Sequence, residues 1–174
     1  TTLFRSMQQV VLLGRQKREE VRIGLRTPLR RLTIVNRDQA LLDDLRVLED
    51  YVRAELNVLE VRYDADEAAY IQLVARPNFP RLGKRLGKRM KAFQAAIAGL
   101  TVADIETLRD SGSVTIDGER FGSDEIEVLQ QSRAGSNVLS NRYIAIELDT
   151  TLDAELQLNG YAREIVNRIQ RYRK

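Results

Sequence analysis

Ala75-Arg-Pro-Asn-Phe-Pro-Arg-Leu-Gly-Lys-Arg-Leu-Gly-Lys-Arg-Met-Lys-Ala-Phe93 carries seven basic residues inside an acid-free window that runs from Ala68 to Ala103. Read as a helix beginning near Arg81, it places Leu82, Leu86, Met90, Phe93, Ile97 and Leu100 on one apolar stripe at helical spacing. Arg81, Lys84, Arg85, Lys88, Arg89 and Lys91 then share the other, broad face. Such a helix docks by one side and offers cations to an anion by the other. Gly83 and Gly87 each cost roughly 1 kcal/mol of helix stability relative to Ala, and two readings of them stay open. Their bare backbone lets a phosphate chain or a neighbouring helix come close beside Lys84, Arg85 and Lys88, or the first turns are a loop and the helix begins near Lys88. The segment from Gly83 to Arg89 is not a nucleotide-phosphate loop, because it lacks that motif's spacing and its Ser/Thr for magnesium.

The blocks around this stretch alternate in sign. Residues 1 to 37 sum to +7, 38 to 67 to −7, 68 to 103 to +7, 104 to 131 to −6 and 132 to 174 to +2, although the net charge is only +3. Segregated charge suits binding to a polyanion, unless the blocks neutralise one another in the fold. With 174 residues, 43% of them apolar, the chain can bury the core of one domain or two small ones. It has no cysteine and no histidine, which removes disulfides, thiolate zinc sites, cysteine nucleophiles and the commonest general base. Acid pairs such as Asp43 and Asp44, or Asp124 and Glu125, read as solvated faces, not as metal ligands. The six tyrosines do not interleave with arginines as a base-stacking platform would. No window is apolar enough to span a membrane and no leader pattern opens the chain, so a soluble cytoplasmic protein is expected.

Leu3 to about Val21 reads as a helix, and Gly24, Thr27 and Pro28 break it ahead of a short strand from Leu29 to Val35. The connection Arg22-Ile-Gly-Leu-Arg-Thr-Pro-Leu-Arg-Arg31 is a second basic element. Asp38 to Leu56 reads as one amphipathic helix, with Leu41, Leu45, Leu48, Val52 and Leu56 on its stripe. Val58 to Tyr63 and Ala69 to Ala75 read as strands of a hairpin across Asp64-Ala-Asp-Glu67. Thr101-Val-Ala-Asp104 has the outline of a capping box for a helix to Asp110, and Ser111-Gly112 ends it. Asp117-Gly118 is a type I′ hairpin signal between Val114–Ile116 and Arg120–Phe121. Glu125 to Gln130 and Tyr143 to Leu148 read as further strands, with Ala134-Gly-Ser-Asn137 in the loop between them. Thr150 or Thr151 is expected to cap a last helix that turns Leu152, Leu156, Ile165, Val166 and Ile169 inward. That helix ends in Arg163, Arg168, Arg171, Arg173 and Lys174 without a stop signal, as in a truncated chain.

Several stretches together resemble the carboxy-terminal region of isoleucyl-tRNA synthetases, which are class I aminoacyl-tRNA synthetases. They are Val10-Val-Leu-Leu-Gly-Arg-Gln-Lys-Arg-Glu-Glu20, Leu25-Arg-Thr-Pro-Leu-Arg-Arg-Leu-Thr-Ile34, Glu55-Leu-Asn-Val-Leu-Glu-Val61, Arg76-Pro-Asn-Phe-Pro-Arg-Leu-Gly-Lys84, Leu148-Asp-Thr-Thr-Leu152 and Gly160-Tyr-Ala-Arg-Glu-Ile-Val-Asn-Arg-Ile-Gln170, in the family's order. The family more often has Val-Arg-Gln-Pro-Leu at the proline segment, so Leu25 and Thr27 depart from it mildly. The family's His-Ile-Gly-His and Lys-Met-Ser-Lys-Ser motifs are missing from the chain. The resemblance therefore implies a tRNA-contacting part that is itself non-catalytic, within an enzyme whose ATP, magnesium, aminoacylation and editing sites lie in other domains. The lack of cysteine is similar to the branch with a metal-free carboxy-terminal extension, not to the branch that ends in a zinc module.

The resulting expectation is an α+β fold, with helices packed on a small, mostly antiparallel sheet. Residues 1–35 would be the end of the helical anticodon-binding domain, and residues 36–174 an appended α+β domain. The resemblance implies isoleucine-accepting tRNA and the remaining synthetase domains as partners, with no membrane and no cofactor or metal held by this part. Arg22, Arg26, Arg30, Arg31, Lys84, Arg85, Lys88, Arg89 and Lys91 are the candidate phosphate contacts. The competing reading is an interaction module whose basic surface docks on an acidic patch of another domain or subunit, without touching tRNA.

Overall fold

In a computed structural model, which describes residues 2–133 and 135–173, the chain forms two compact units. One comprises residues 1–71 and 132–174, and the other residues 72–131.

The first unit is built on a four-stranded sheet of order β2-β1-β8-β7, from β1 (Leu29–Val35), β2 (Val58–Asp64), β7 (Val138–Ser140) and β8 (Ala145–Leu148). β1 runs parallel to β2, with Leu32 opposite Val61, and antiparallel to β8, with Ile34 opposite Ile146. β7 pairs antiparallel with β8, so antiparallel ladders predominate in this α+β fold. A parallel pair needs a crossover, and here it is helical: α2 (Gln39–Arg46) and α3 (Glu49–Leu56). They pack with α1 (Thr2–Glu20), and the core gathers Val10, Leu32, Ile34, Leu42, Leu45, Leu56 and Ile146. Close approach of α1 to α3 depends on Gly14, where an added Cβ would lie 2.4 Å from the Leu56 side chain.

Two expectations fail in this unit. The helix expected over Asp38–Leu56 is broken at Leu48, where φ −104° and ψ 13° leave the helical region. Val47 N–H tightens onto the carbonyls of Asp44 and Leu45 while Leu48 N–H bonds the Leu45 carbonyl, and Glu49 and Asp50 then open α3 where acids suit the positive end of a helix. The hairpin across Asp64–Glu67 does not exist: β2 joins β1, whereas β3 (Ile71–Pro77) pairs with β6 (Ile126–Ser132) in a separate two-stranded sheet.

The second unit also contains α4 (Phe79–Leu86), α5 (Met90–Ala98), α6 (Val102–Ser111) and the hairpin β4 (Ser113–Ile116) with β5 (Glu119–Gly122). Its core holds Leu82, Leu86, Phe93, Ile97, Leu108, Ile116 and Phe121, so the apolar stripe of the basic stretch is buried as expected. The capping box forms, with Asp104 N–H donating to Thr101 Oγ1 and Thr101 N–H to the Asp104 carboxylate. Asp117 and Gly118 take the positive φ that a type I′ turn requires.

A last helix, α7 (Ala154–Tyr172), belongs to the first unit. Its cap is Asp153, whose carboxylate accepts from Leu156 N–H, and not Thr150 or Thr151. Of the residues expected to turn inward, Leu156 is buried and Leu152 half-buried, but Ile165, Val166 and Ile169 are exposed. Two of the quoted positions, Ala134 in the loop and the terminal Lys174, lie outside the described residues.

Candidate nucleic-acid interface

The basic stretch is not one helix. α4 stops at Gly87, whose φ of +48° and ψ of −118° suit only a residue without a side chain, and a single turn over Gly87–Arg89 leads into α5. The six cations expected on one helical face are thus distributed over two helices and a turn. Their environments differ. The Arg85 guanidinium lies 4.4 Å from the centroid of the Phe121 ring and donates to Glu125 at 2.7 Å and to the Arg120 carbonyl at 3.2 Å. Arg89 donates to Glu119 at 2.6 Å. The two arginines tie α4 and the turn to the β4–β5 side of the same unit. Arg89 first, then Arg85, holds the Glu119 carboxyl below the usual range. For Glu125 burial opposes ionisation, but the bonds from Arg85 and Gly122 N–H outweigh it and keep its carboxyl low as well.

Arg81, Lys84, Lys88 and Lys91 are exposed, and none of them makes an ion pair or side-chain hydrogen bond among the described residues. On the helical wheel of α4, Lys84 lies opposite the buried Leu82 and Leu86, with Pro80 and Gly83 on one side of it and Arg81 and Arg85 on the other. A Cβ added at Gly83 would meet nothing within 4 Å, so no neighbouring helix explains that glycine. The surface around Lys84 is cationic.

The first basic segment is held differently. Arg26 pairs with Glu164 and Arg30 with Asp153, both on α7 or its cap, and Arg31 lies 3.9 Å from Asp149. Arg26 and then Arg168 hold the Glu164 carboxyl below the usual range, and the Leu156 N–H followed by Arg30 does the same for Asp153. Arg22, at a left-handed φ of 57°, is exposed and has no side-chain partner among the described residues. The segment owes its path to Arg18, to which the sequence analysis assigned no role. Only 2% exposed, it donates to the carbonyls of Gly24, Thr27, Leu56 and Asn57. Burial pushes its guanidinium down to about 10, which leaves it charged at neutral pH. A charged residue near a helix end reads as solvated, so no signal in the sequence marks this role.

α7 comes close to that segment at Gly160, where a Cβ would lie 3.0 Å from Thr27 Oγ1. Arg163 donates to Asn57 Oδ1 at 2.7 Å, and Asn57 Nδ2 donates to the Leu25 carbonyl at 2.8 Å. An open cleft of about 550 Å³ remains between them, lined by Leu25, Arg26, Leu152, Gln157, Tyr161 and Glu164 among others.

Among the described residues no group of three or more acidic side chains is placed to hold a metal ion. Nor is any helix among them long and apolar enough to cross a membrane.

No protein-family model matches the chain. Among curated proteins it is similar to the isoleucine–tRNA ligase of Bdellovibrio bacteriovorus, with 35% identity over 171 residues that cover 98% of the chain and 16% of that protein. It is 34% identical to the cytoplasmic isoleucine–tRNA ligase of Saccharomyces cerevisiae, covering 99% of the chain and 17% of the relative. The cytoplasmic enzyme of Mus musculus is 35% identical, with 97% and 14% covered. The chain thus spans about a sixth of the length of these relatives.

Proposed function

We propose, on the premise that this chain belongs to the carboxy-terminal region of the isoleucyl-tRNA synthetase family, that it is a tRNA-binding part of such an enzyme. It grips isoleucine-accepting tRNA by its phosphates and holds it so that the acceptor end reaches sites carried by other domains. Those domains supply ATP-dependent isoleucylation and editing in the cytoplasm, with ATP and magnesium, and this part performs no chemistry.

The observation that carries the proposal is that Arg81, Lys84, Lys88 and Lys91 are exposed and make no ion pair or side-chain hydrogen bond among the described residues. Lysine and arginine contacts to phosphate give affinity and a steep salt dependence without reading sequence. Arg22 is a further unpaired contact. Arg26, Arg30, Arg31, Arg85 and Arg89 contribute through charges already shared with carboxylates, so each adds less. Titration of the chain with isoleucine-accepting and unrelated tRNAs at two salt concentrations tests this. Binding of both that weakens as salt rises is expected, whereas no binding at low salt rejects the proposal.

A second reading is favoured by the exposed apolar side of α7, where Ile165, Val166 and Ile169 are not covered by any of the described residues. Under it the part docks on other domains and leaves tRNA alone. Lys84→Glu with Lys88→Glu then leaves tRNA affinity unchanged.

A further inference from the structure

The cleft beside α7 has features that phosphate gripping does not use. Gln157, Gly160, Tyr161 and Glu164 recur at i, i+3, i+4 and i+7, so they share one face of the helix, and that face looks onto the connection through Leu25 and Thr27. Gly160 allows the helix to approach Thr27 and keeps the floor shallow. The Tyr161 ring is 66% exposed, and Leu25 stands exposed across the opening. Neither the Tyr161 hydroxyl nor the Gln157 carboxamide has a hydrogen-bond partner among the described residues. A carboxamide offers both donors and an acceptor, which is the complement of a nucleobase edge. Glu164 is flanked by Arg26 and Arg168, and Arg163 reaches the back of the Leu25 segment through Asn57. Two guanidiniums, Arg26 and Arg168, thus share the one Glu164 carboxylate. A volume of about 550 Å³ lies in the range of small-ligand sites, and the open mouth lets a polymer continue past it.

We infer that this cleft takes one unpaired RNA base, stacked on Tyr161 and hydrogen-bonded by Gln157, with its flanking phosphate on the Arg26–Arg168 rim. The inference rests on the tRNA-binding reading and adds a second kind of contact to it. Exposed lysines accept any phosphate chain, whereas a stacking cleft selects single-stranded over duplex RNA, because only unstacked bases can leave the strand for it.

The test measures binding of the chain to a short oligouridylate and to a blunt RNA duplex by fluorescence anisotropy. Tyr161→Ala is expected to weaken oligouridylate binding by roughly tenfold and duplex binding hardly at all, with Tyr161→Phe close to the parent. A photoactivatable 4-thiouridine in the same oligonucleotide should crosslink to the peptide that contains Tyr161. An unchanged affinity in Tyr161→Ala, an equal loss for both RNAs, a crosslink elsewhere, or no oligouridylate binding by the parent chain overturns the inference. Lys84→Glu with Lys88→Glu separates the two proposals. If that pair weakens both RNAs while Tyr161→Ala weakens neither, the cleft fails and the tRNA reading stands. If the parent chain binds neither RNA nor tRNA, both fall.

Discussion

The two basic segments have similar composition and opposite use. In residues 22–31 every candidate is an arginine, and three of the four are matched to carboxylates of the closing segment: Asp149, Asp153 and Glu164. In residues 81–91 the cations divide the work, and Arg81 stays exposed and unpaired with the lysines among the described residues. Arg85 and Arg89 hold the hairpin, while Lys84, Lys88 and Lys91 stay in solvent without partners among the described residues. The difference follows from the side chains. A guanidinium presents a flat fork that matches carboxylate and aromatic faces, whereas an ammonium is a strongly hydrated point charge that gains little by pairing at a surface. A run of basic residues is therefore not one patch: its arginines can be internal fastenings and its lysines the surface left for a ligand.

The sharpest ways to break this comparison remove the fastenings. Phe121→Ala takes away the ring beneath Arg85 and a fully buried side chain, and should cost about 3–5 kcal/mol in urea denaturation. Arg18→Ala strands four carbonyls that shape the first segment and should cost about 3 kcal/mol by the same measurement. A loss under about 1 kcal/mol would mean that water replaces the guanidinium. Gly87→Ala forces a side chain into the positive-φ turn and should cost about 1–3 kcal/mol. Gly83→Ala should do the reverse, stabilising α4 by up to about 1 kcal/mol while weakening tRNA binding, because none of the described residues occupies the space a methyl would fill. Destabilisation there would restore the packing explanation.

Acidification probes the carboxylates that serve the fastenings. Glu119, Glu125, Asp153 and Glu164 have folded pKa values held below those of the unfolded chain. Their contribution is present above the unfolded value of about 4 and is lost as pH falls through the lower folded values. The thermal midpoint should drop over that window, and Glu164→Gln should flatten the drop slightly. An identical profile in Glu164→Gln would show that its pairing with Arg26 adds nothing to stability.

What was legible in the sequence was local. The capping box at Thr101 and Asp104, the turn at Asp117-Gly118, the strand Leu29–Val35 and the stripe from Leu82 to Ile97 each depend on residues a few positions apart, and each forms. Pairing was not legible, because β2 and β3 are adjacent in sequence yet find partners on different sheets, and the period-2 pattern that marks a strand names no neighbour. The break at Leu48 has no glycine or proline to announce it. The outer side of α7 was misread because an apolar stripe states that a face wants cover, not that this chain supplies it. At the candidate site the lysines could be picked out by type, but which arginines were already engaged depended on carboxylates 30 to 138 residues away.

The most direct test of the central claim is the salt dependence of tRNA affinity in two neutralised variants, Lys84→Ala with Lys88→Ala and Lys91→Ala, and Arg26→Ala with Arg30→Ala. Each cation–phosphate pair removed should lower the slope of log K against log salt by about 0.7–0.9. The lysine variant should shed about two or more such units, and the arginine variant less than one. Equal slopes in the lysine variant and the parent, or a larger drop in the arginine variant, would contradict the account.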